Sequence, residues 1–298
     1  MTDPDPSEGP EIVVVGSINL DLSIVVERFP EPGETVLGGG LSRGGGGKGA
    51  NQAVAAARLG RRVALVGRVG ADGDGERLRS ALSAEGIEVS TVSVIDDGPT
   101  GLALIEVDPS GENRIVVVPG ANGRVAVDDL AGAEDIIDRA AVVVTQLEIP
   151  VPVVEALARG SRRGRLILNP APALPVDLTG VDLLVPNRSE LALLAGTGEA
   201  GSTDELVDQL VALPVRPAAA VVTLGAEGAL VVAGLDTSGR SVVEVPAHPV
   251  EVVDTTGAGD LYAAGFLYGV ATGKDLSKIV VPAVFPDNDI VRSDIADY

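Results

Sequence analysis

The chain has no cysteine, no tryptophan, one histidine and one methionine, and aromatic residues make up 2% of its 298 positions. Without a thiol there is no disulfide, no thiolate metal centre and no sulfur nucleophile. His248 stands alone beside Pro249 in a stretch that reads as a solvated loop, so a histidine-based triad or a multi-histidine zinc site lacks its parts. Positive charge is also scarce, with 22 Lys and Arg against 43 Asp and Glu and a formal net charge of −21. Such a field repels polyanions and anionic lipid, so neither nucleic acid nor a membrane surface is the expected partner. A phosphate-bearing ligand is admitted only where local amides or a cation overrule the background.

No apolar run approaches the ~18 to 20 residues that a membrane-spanning helix needs. The opening "MTDPDPSEGP" is acidic and proline-rich where a secretory signal needs a basic start and an apolar stretch. A soluble, cytoplasmic protein is the expectation. What is abundant is apolar residue, 45% against 22% charged, which suits a folded domain rather than a disordered chain.

The apolar residues fall in short β-branched runs separated by helix-like segments. "EIVVVGSINLDLSIVV" (11–26) opens as a buried strand ending at Gly16, and "NQAVAAARLG" (51–60) reads as an alanine-rich helix closing at Gly60. "VALVGRVG", "AAVVVTQ", "RLILNP" and "VDLLVPN" read as strands. Helices are expected over Glu76–Glu85, over "PVPVVEALARG" and from near Ser189. This alternation predicts an α/β fold with a mostly parallel central sheet covered on both faces. Two stretches break the rhythm: "GETVLGGGLSRG" and "TGLALIEVDPSGENRIVVVPGAN", the latter two alternating runs around a "DPSGEN" turn. They predict a small β lid contributed by about 17–45 and 98–121, on a single domain spanning 1–298.

Two motifs carry chemistry. "GGGGKGAN" (44–51) invites a phosphate-loop reading through its glycines and Lys48, but Ser42 and Gly49 stand where the nucleoside-triphosphatase loop needs Gly and Ser or Thr. A plain flexible loop is the competing reading. In "VDTTGAGDLYAAGF" (253–266) the chain turns from a strand into a helix, and the amides around Gly257, Ala258 and Gly259 can converge on an anion at that helix N-terminus. Asp260 sits in its first turn, where the dipole keeps it ionised, either as a general base or only as a stabilising acid.

These motifs, with "GSINLD", "FPEPGETV", "GENRIVVVPGAN", "QLEIP", "LNPAPA", "PNRSE" and "TLGAEGAL", resemble in order and spacing the ribokinases, within the PfkB family of carbohydrate kinases, from about Glu11 to Gly273. The resemblance implies a ribokinase-like three-layer sandwich with a β-sheet lid, often paired as a homodimer through that lid. It implies ATP-dependent phosphorylation of D-ribose at its 5-hydroxyl, with Asp260 as catalytic base and Gly257, Ala258 and Gly259 as anion hole. By the same resemblance, Asn19, Asp21, Gly47, Lys48, Asn51 and Glu148 hold the sugar hydroxyls, together with Asp260. Asn187, Thr223 and Gly225 lie on the nucleotide side, and Glu190 organises Mg²⁺. Asp254 and Thr256 form half of a K⁺ site. Asn187 and Glu190 also read as an N-cap and its N3 partner on a plain helix start. Other sugars or a nucleoside remain alternatives.

After Gly273 the resemblance stops: "KIVVPAVFPDNDIVRSDIADY" does not align with the alanine-rich helix and adenine loop of the family. All three tyrosines and two of the three phenylalanines fall beyond Asp260. Residues 274–298 are therefore an atypical tail, and a sugar or nucleotide binder without turnover is the alternative if that tail abolishes catalysis.

Overall fold

The computed structural model describes residues 9–237 and 239–247. His248, Asp254, Thr256, Gly257, Ala258, Gly259, Asp260 and the 274–298 tail lie outside the described residues.

The β-branched run after Glu11 forms β1 (Ile12–Val15), and all four of its residues are buried. Successive side chains of a strand point to opposite faces. Ile12 and Val14 accordingly join one core with Leu65 and helix α1 (Lys48–Arg58), while Val13 and Val15 join a second with Leu157 of α5 (Val151–Arg159) and Leu206 of α7 (Thr203–Ala212). Two cores on the two faces of one sheet make three layers, the arrangement predicted from the alternation of elements.

Eight further strands complete that sheet: β4 (Val63–Gly70), β5 (Val92–Ile95), β8 (Val142–Thr145), β9 (Arg165–Leu168), β10 (Leu183–Leu184), β11 (Ala219–Thr223), β12 (Ala229–Ala233) and β13 (Ser241–Val245). Their order is β13-β12-β11-β10-β9-β8-β1-β4-β5. Pairing is parallel from β5 through β11, and only the hairpins at the β13 end run antiparallel. From β1 the chain first builds outward to β4 and β5, then returns to β8 on the other side, so the strand order reverses between β1 and β8.

Twice, between β1 and β4 and again between β5 and β8, the chain leaves this sheet to build a second, four-stranded one in the order β3-β2-β6-β7, from β2 (Asn19–Val26), β3 (Gly38–Gly46), β6 (Gly101–Val107) and β7 (Asn113–Val118). The "DPSGEN" turn joins β6 to β7 as an antiparallel hairpin.

The structure decides between readings that the sequence leaves open for the glycine run. Gly44, Gly45 and Gly46 of the glycine run are not a flexible loop but the end of β3, paired with Asp21, Leu20 and Asn19. Glycine is a poor strand former. The pairing survives here because β2 fills the space: a Cβ on Gly46 would sit 2.2 Å from the Asp21 carboxylate. Helix α2 (Gly73–Ala84) also starts earlier than Glu76, because Asp72 caps it by accepting from Gly75 N at 2.7 Å.

Candidate active site

Parallel strands of an open α/β sheet present ligand sites beyond their carboxyl ends, at the point where strand order reverses. Five neighbouring strands here lead at their carboxyl ends into polar residues, only some of which the sequence singles out. Past β1 come Ser17 and Asn19, past β8 Gln146 and Glu148, past β9 Asn169, past β10 Asn187, and at β11 Thr223 with Gly225 just after it.

The reversal between β1 and β8 is bridged by hydrogen bonds. Ser17 Oγ donates to Glu148 Oε2 at 2.5 Å, and the backbone N–H of Lys48 donates to the same oxygen at 3.0 Å. Lys48 is the first residue of α1, so Glu148 also places a negative charge at that helix's positive end. Gly49 N donates to Ser17 Oγ at 3.2 Å and Ala50 N to the Ser17 carbonyl at 2.9 Å, which ties the first turn of α1 to the end of β1. The approach requires glycine: a Cβ on Gly49 would lie 2.5 Å from Ser17 N. Gly47, at φ 89°, turns the chain from β3 into α1 against the backbone of Ile18 and Asn19. Asn51 follows in that turn, buried, its N–H bonded to Gly47 O at 2.9 Å. Asn19, Gly47, Lys48, Asn51 and Glu148 are thus brought together, and Asp21 lies two residues along β2 from Asn19.

Past β10, Asn187 and Glu190 form a reciprocal cap on α6 (Arg188–Ala195). Asn187 Oδ1 accepts from Glu190 N, and Asn187 N donates to Glu190 Oε2, both at 2.8 Å. The helix-start reading of this pair is therefore realised in the fold. Asn187 forms a parallel bridge with Thr223, whose N–H donates to Pro186 O at 2.9 Å, so the two sit side by side. Gly225, at φ 59°, begins the short turn Gly225–Glu227.

Between the two clusters runs a chain of buried amides that sequence reasoning did not single out. Gln146 Nε2 donates to Gln52 Oε1 at 2.6 Å, Gln52 Nε2 to Asn169 Oδ1 at 3.2 Å, and Asn169 Nδ2 to Val185 O at 2.9 Å. It links β8, α1, β9 and the segment after β10. Ser17 and Asn122 were missed as well. Polar residues directly after apolar strands, as in "TQLE" and "LILNP", are the signal that marks Gln146 and Asn169 in hindsight.

Oxygen donors are what Mg²⁺ takes, and that ion keeps waters and phosphate oxygens rather than an all-protein cage. The buried Glu190 carboxylate beside Asn187 fits such a role. Among the described residues no group of three or more His, Cys, Asp or Glu could hold a metal by itself. No helix of the described residues is long and apolar enough to cross a membrane.

The pattern of the pfkB family carbohydrate kinases matches residues 10–284, past Gly273 where the individual motifs end. The chain is 39% identical over 280 residues to a ribokinase of Schizosaccharomyces pombe, covering 89% of this chain and 86% of that protein. It is 38% identical over 270 residues to a ribokinase of Bacillus subtilis, covering 89% and 87%. Among solved structures, Arabidopsis thaliana ribokinase complexed with ribose and ATP superposes with a TM-score of 0.81 at 30% identity, covering 93% of this chain and 90% of that one.

Proposed function

The chain belongs to the pfkB family of carbohydrate kinases, and from that premise we propose that it is an ATP-dependent ribokinase, transferring the γ-phosphoryl group to the 5-hydroxyl of D-ribose. The observation that carries the reading is the set of polar groups at the carboxyl ends of β1 and β8, where Asn19, Asp21, Asn51 and Glu148 offer donors and acceptors of the kind a polyol needs. Phosphoryl transfer asks little covalent chemistry of a protein and a great deal of positioning and charge stabilisation.

In this reading Asn19, Asp21, Gly47, Lys48, Asn51 and Glu148 orient the sugar. Asp260 takes the proton of the attacking hydroxyl, while the amides around Gly257, Ala258 and Gly259 receive the developing negative charge. Asn187, Thr223 and Gly225 face the nucleotide. Glu190, held beside Asn187, would help hold Mg²⁺ on the phosphates, where the ion would neutralise their charge. K⁺ would be held partly by Asp254 and Thr256. The four-stranded sheet acts as a lid that excludes water, which would otherwise compete as acceptor.

That sheet also offers a dimer face. β7 exposes apolar side chains on both of its faces, Ile115 and Val117 on one and Val116 and Val118 on the other, and Leu41 of β3 is exposed too. Apolar surface of this kind marks an interaction site, and a second copy of the chain is the partner we propose. The setting is cytoplasmic, where ATP is available.

ADP release measured over a panel of pentoses, hexoses and nucleosides, with and without K⁺ and with Mg²⁺ chelated, tests the assignment. Turnover specific to ribose and lost on chelation is expected. Sugar binding without turnover overturns the kinase reading, and preference for a nucleoside replaces the substrate. Asp260→Asn is expected to lower kcat by about 10²-fold or more while ribose still binds.

A further inference from the structure

Asn122 lies just past β7, where the chain returns from the small sheet, and it is 1% exposed. Its orientation is set by two backbone groups that have no choice of polarity. The N–H of Ile18, which can only donate, meets Asn122 Oδ1 at 2.9 Å, and the carbonyl of Ile18, which can only accept, meets Nδ2 at 3.1 Å. With its amide held this way round, Asn122 turns Nδ2 toward Asn19 as well, at 2.7 Å from the Asn19 side-chain oxygen. Two amides that meet so closely must pair donor to acceptor. The carbonyl end of Asn19 is thereby committed, and its NH₂ end is left over. Asn19 is itself 2% exposed, and among the described residues nothing accepts from its Nδ2. An amide donor left over in this way is available to a ligand oxygen.

The space for this pair is made by a glycine. A Cβ on Gly101, the first residue of β6, would stand 2.2 Å from Asn122 Nδ2 and 2.3 Å from Asn19 Oδ1. The pair therefore joins three crossings between the two sheets: entry to β2, entry to β6 and exit from β7.

We propose that Asn122 is a positioning residue that makes Asn19 a donor-only contact to the sugar, so that this position recognises a hydroxyl by its lone pairs and not by its proton. The inference rests on the ribose-kinase reading of the site. It sets Asn19 apart from Asp21 and Glu148, whose side chains offer oxygens.

The test compares ribose with its 2-deoxy, 2-deoxy-2-fluoro, 3-deoxy and 3-deoxy-3-fluoro analogues, by binding calorimetry and by kcat/KM. Fluorine keeps an acceptor and removes the donor. In the unmodified enzyme, at the hydroxyl that Asn19 contacts, the fluoro analogue should outperform the deoxy analogue by about 3- to 10-fold. Asn19→Ala should erase that gap and so identify the position. Asn122→Asp puts an acceptor where Nδ2 was, forcing the Asn19 amide to turn over. The gap should close or reverse, and KM for ribose should rise about 10- to 100-fold while KM for ATP stays within about 2-fold. Gly101→Ala should act in the same direction.

An unchanged fluoro-to-deoxy ratio in Asn122→Asp, or equal losses for ribose and ATP, overturns the proposal in favour of a merely structural asparagine. If Asn122→Asp does not fold, the unmodified enzyme and Asn19→Ala decide, since the absence of any fluoro advantage is equally fatal. Ribose binding without phosphoryl transfer would reject the kinase reading and leave this inference to stand or fall on the binding ratios.

Discussion

Ser17 and Asp72 show how single side chains hold the crossings between the two sheets. Ser17 is buried and uses one hydroxyl twice, donating to Glu148 and accepting from Gly49 N. Ser17→Ala leaves an amide and a carboxylate oxygen each short of a partner, so urea denaturation should show a loss of about 1 to 2 kcal/mol, together with weaker ribose binding. Asp72 accepts from Thr100 N at 2.8 Å and from Thr100 Oγ1 at 2.6 Å, besides capping α2, and Thr100 directly precedes β6. Burial pushes its carboxyl up, but the hydroxyl and amide of Thr100 and the amides of Gly75 and Asp74 outweigh that and hold it below the usual carboxylate range. A depressed pKa stabilises the fold above the ordinary carboxylate pKa, and that contribution is lost as pH falls through the folded value. Asp72→Asn should therefore unfold about 1 to 2 kcal/mol more readily at neutral pH, since an amide NH₂ would face the Thr100 N–H, and the gap to the parent should narrow under acid. Equal destabilisation at every pH would refute this. Neither residue stands out in the sequence, because a serine or an aspartate next to a glycine reads as turn chemistry until its distant partner is known.

At the scale of elements, α1 is anchored through buried polar contacts as much as through its alanines. Its helical nature was legible from "NQAVAAARLG", and the apolar strands from their β-branched runs, because those signals are local. The amide chain from Gln146 through Gln52 to Asn169 was not legible, since it joins residues 94 and 117 positions apart. Gln52→Met keeps the volume and removes the relay. It leaves Gln146 Nε2 and Asn169 Oδ1 without their Gln52 partner, and a cost of about 2 to 4 kcal/mol in thermal or chemical unfolding is expected. A loss under 1 kcal/mol would mean that the chain is dispensable. β3 teaches the opposite lesson. Its glycine run argued for a loop on local propensity, and pairing with β2 overrode that propensity because the Asp21 side chain needs the room that Gly46 leaves.

For the whole molecule, net charge and the exposed small sheet set the behaviour. With a formal charge of −21 the folded chain repels itself, so moderate salt should raise the unfolding midpoint by screening. Leu41→Glu with Val116→Glu, both on exposed positions of the small sheet, should convert a dimer into a monomer in sedimentation velocity with little change in monomer stability. An unchanged sedimentation coefficient would overturn the proposed dimer through the small sheet. The sequence by itself determined the α/β class, the excluded chemistries and the kinase motifs, since composition, periodicity and short spacings are written in neighbouring residues. Only the tertiary structure decided that the end of the glycine run is a strand, that Ser17 and Glu148 bridge the reversal between β1 and β8, and that Asn122 donates to the Asn19 side chain. Each of those depends on pairings between residues distant in the chain, where geometry rather than residue type selects the partner.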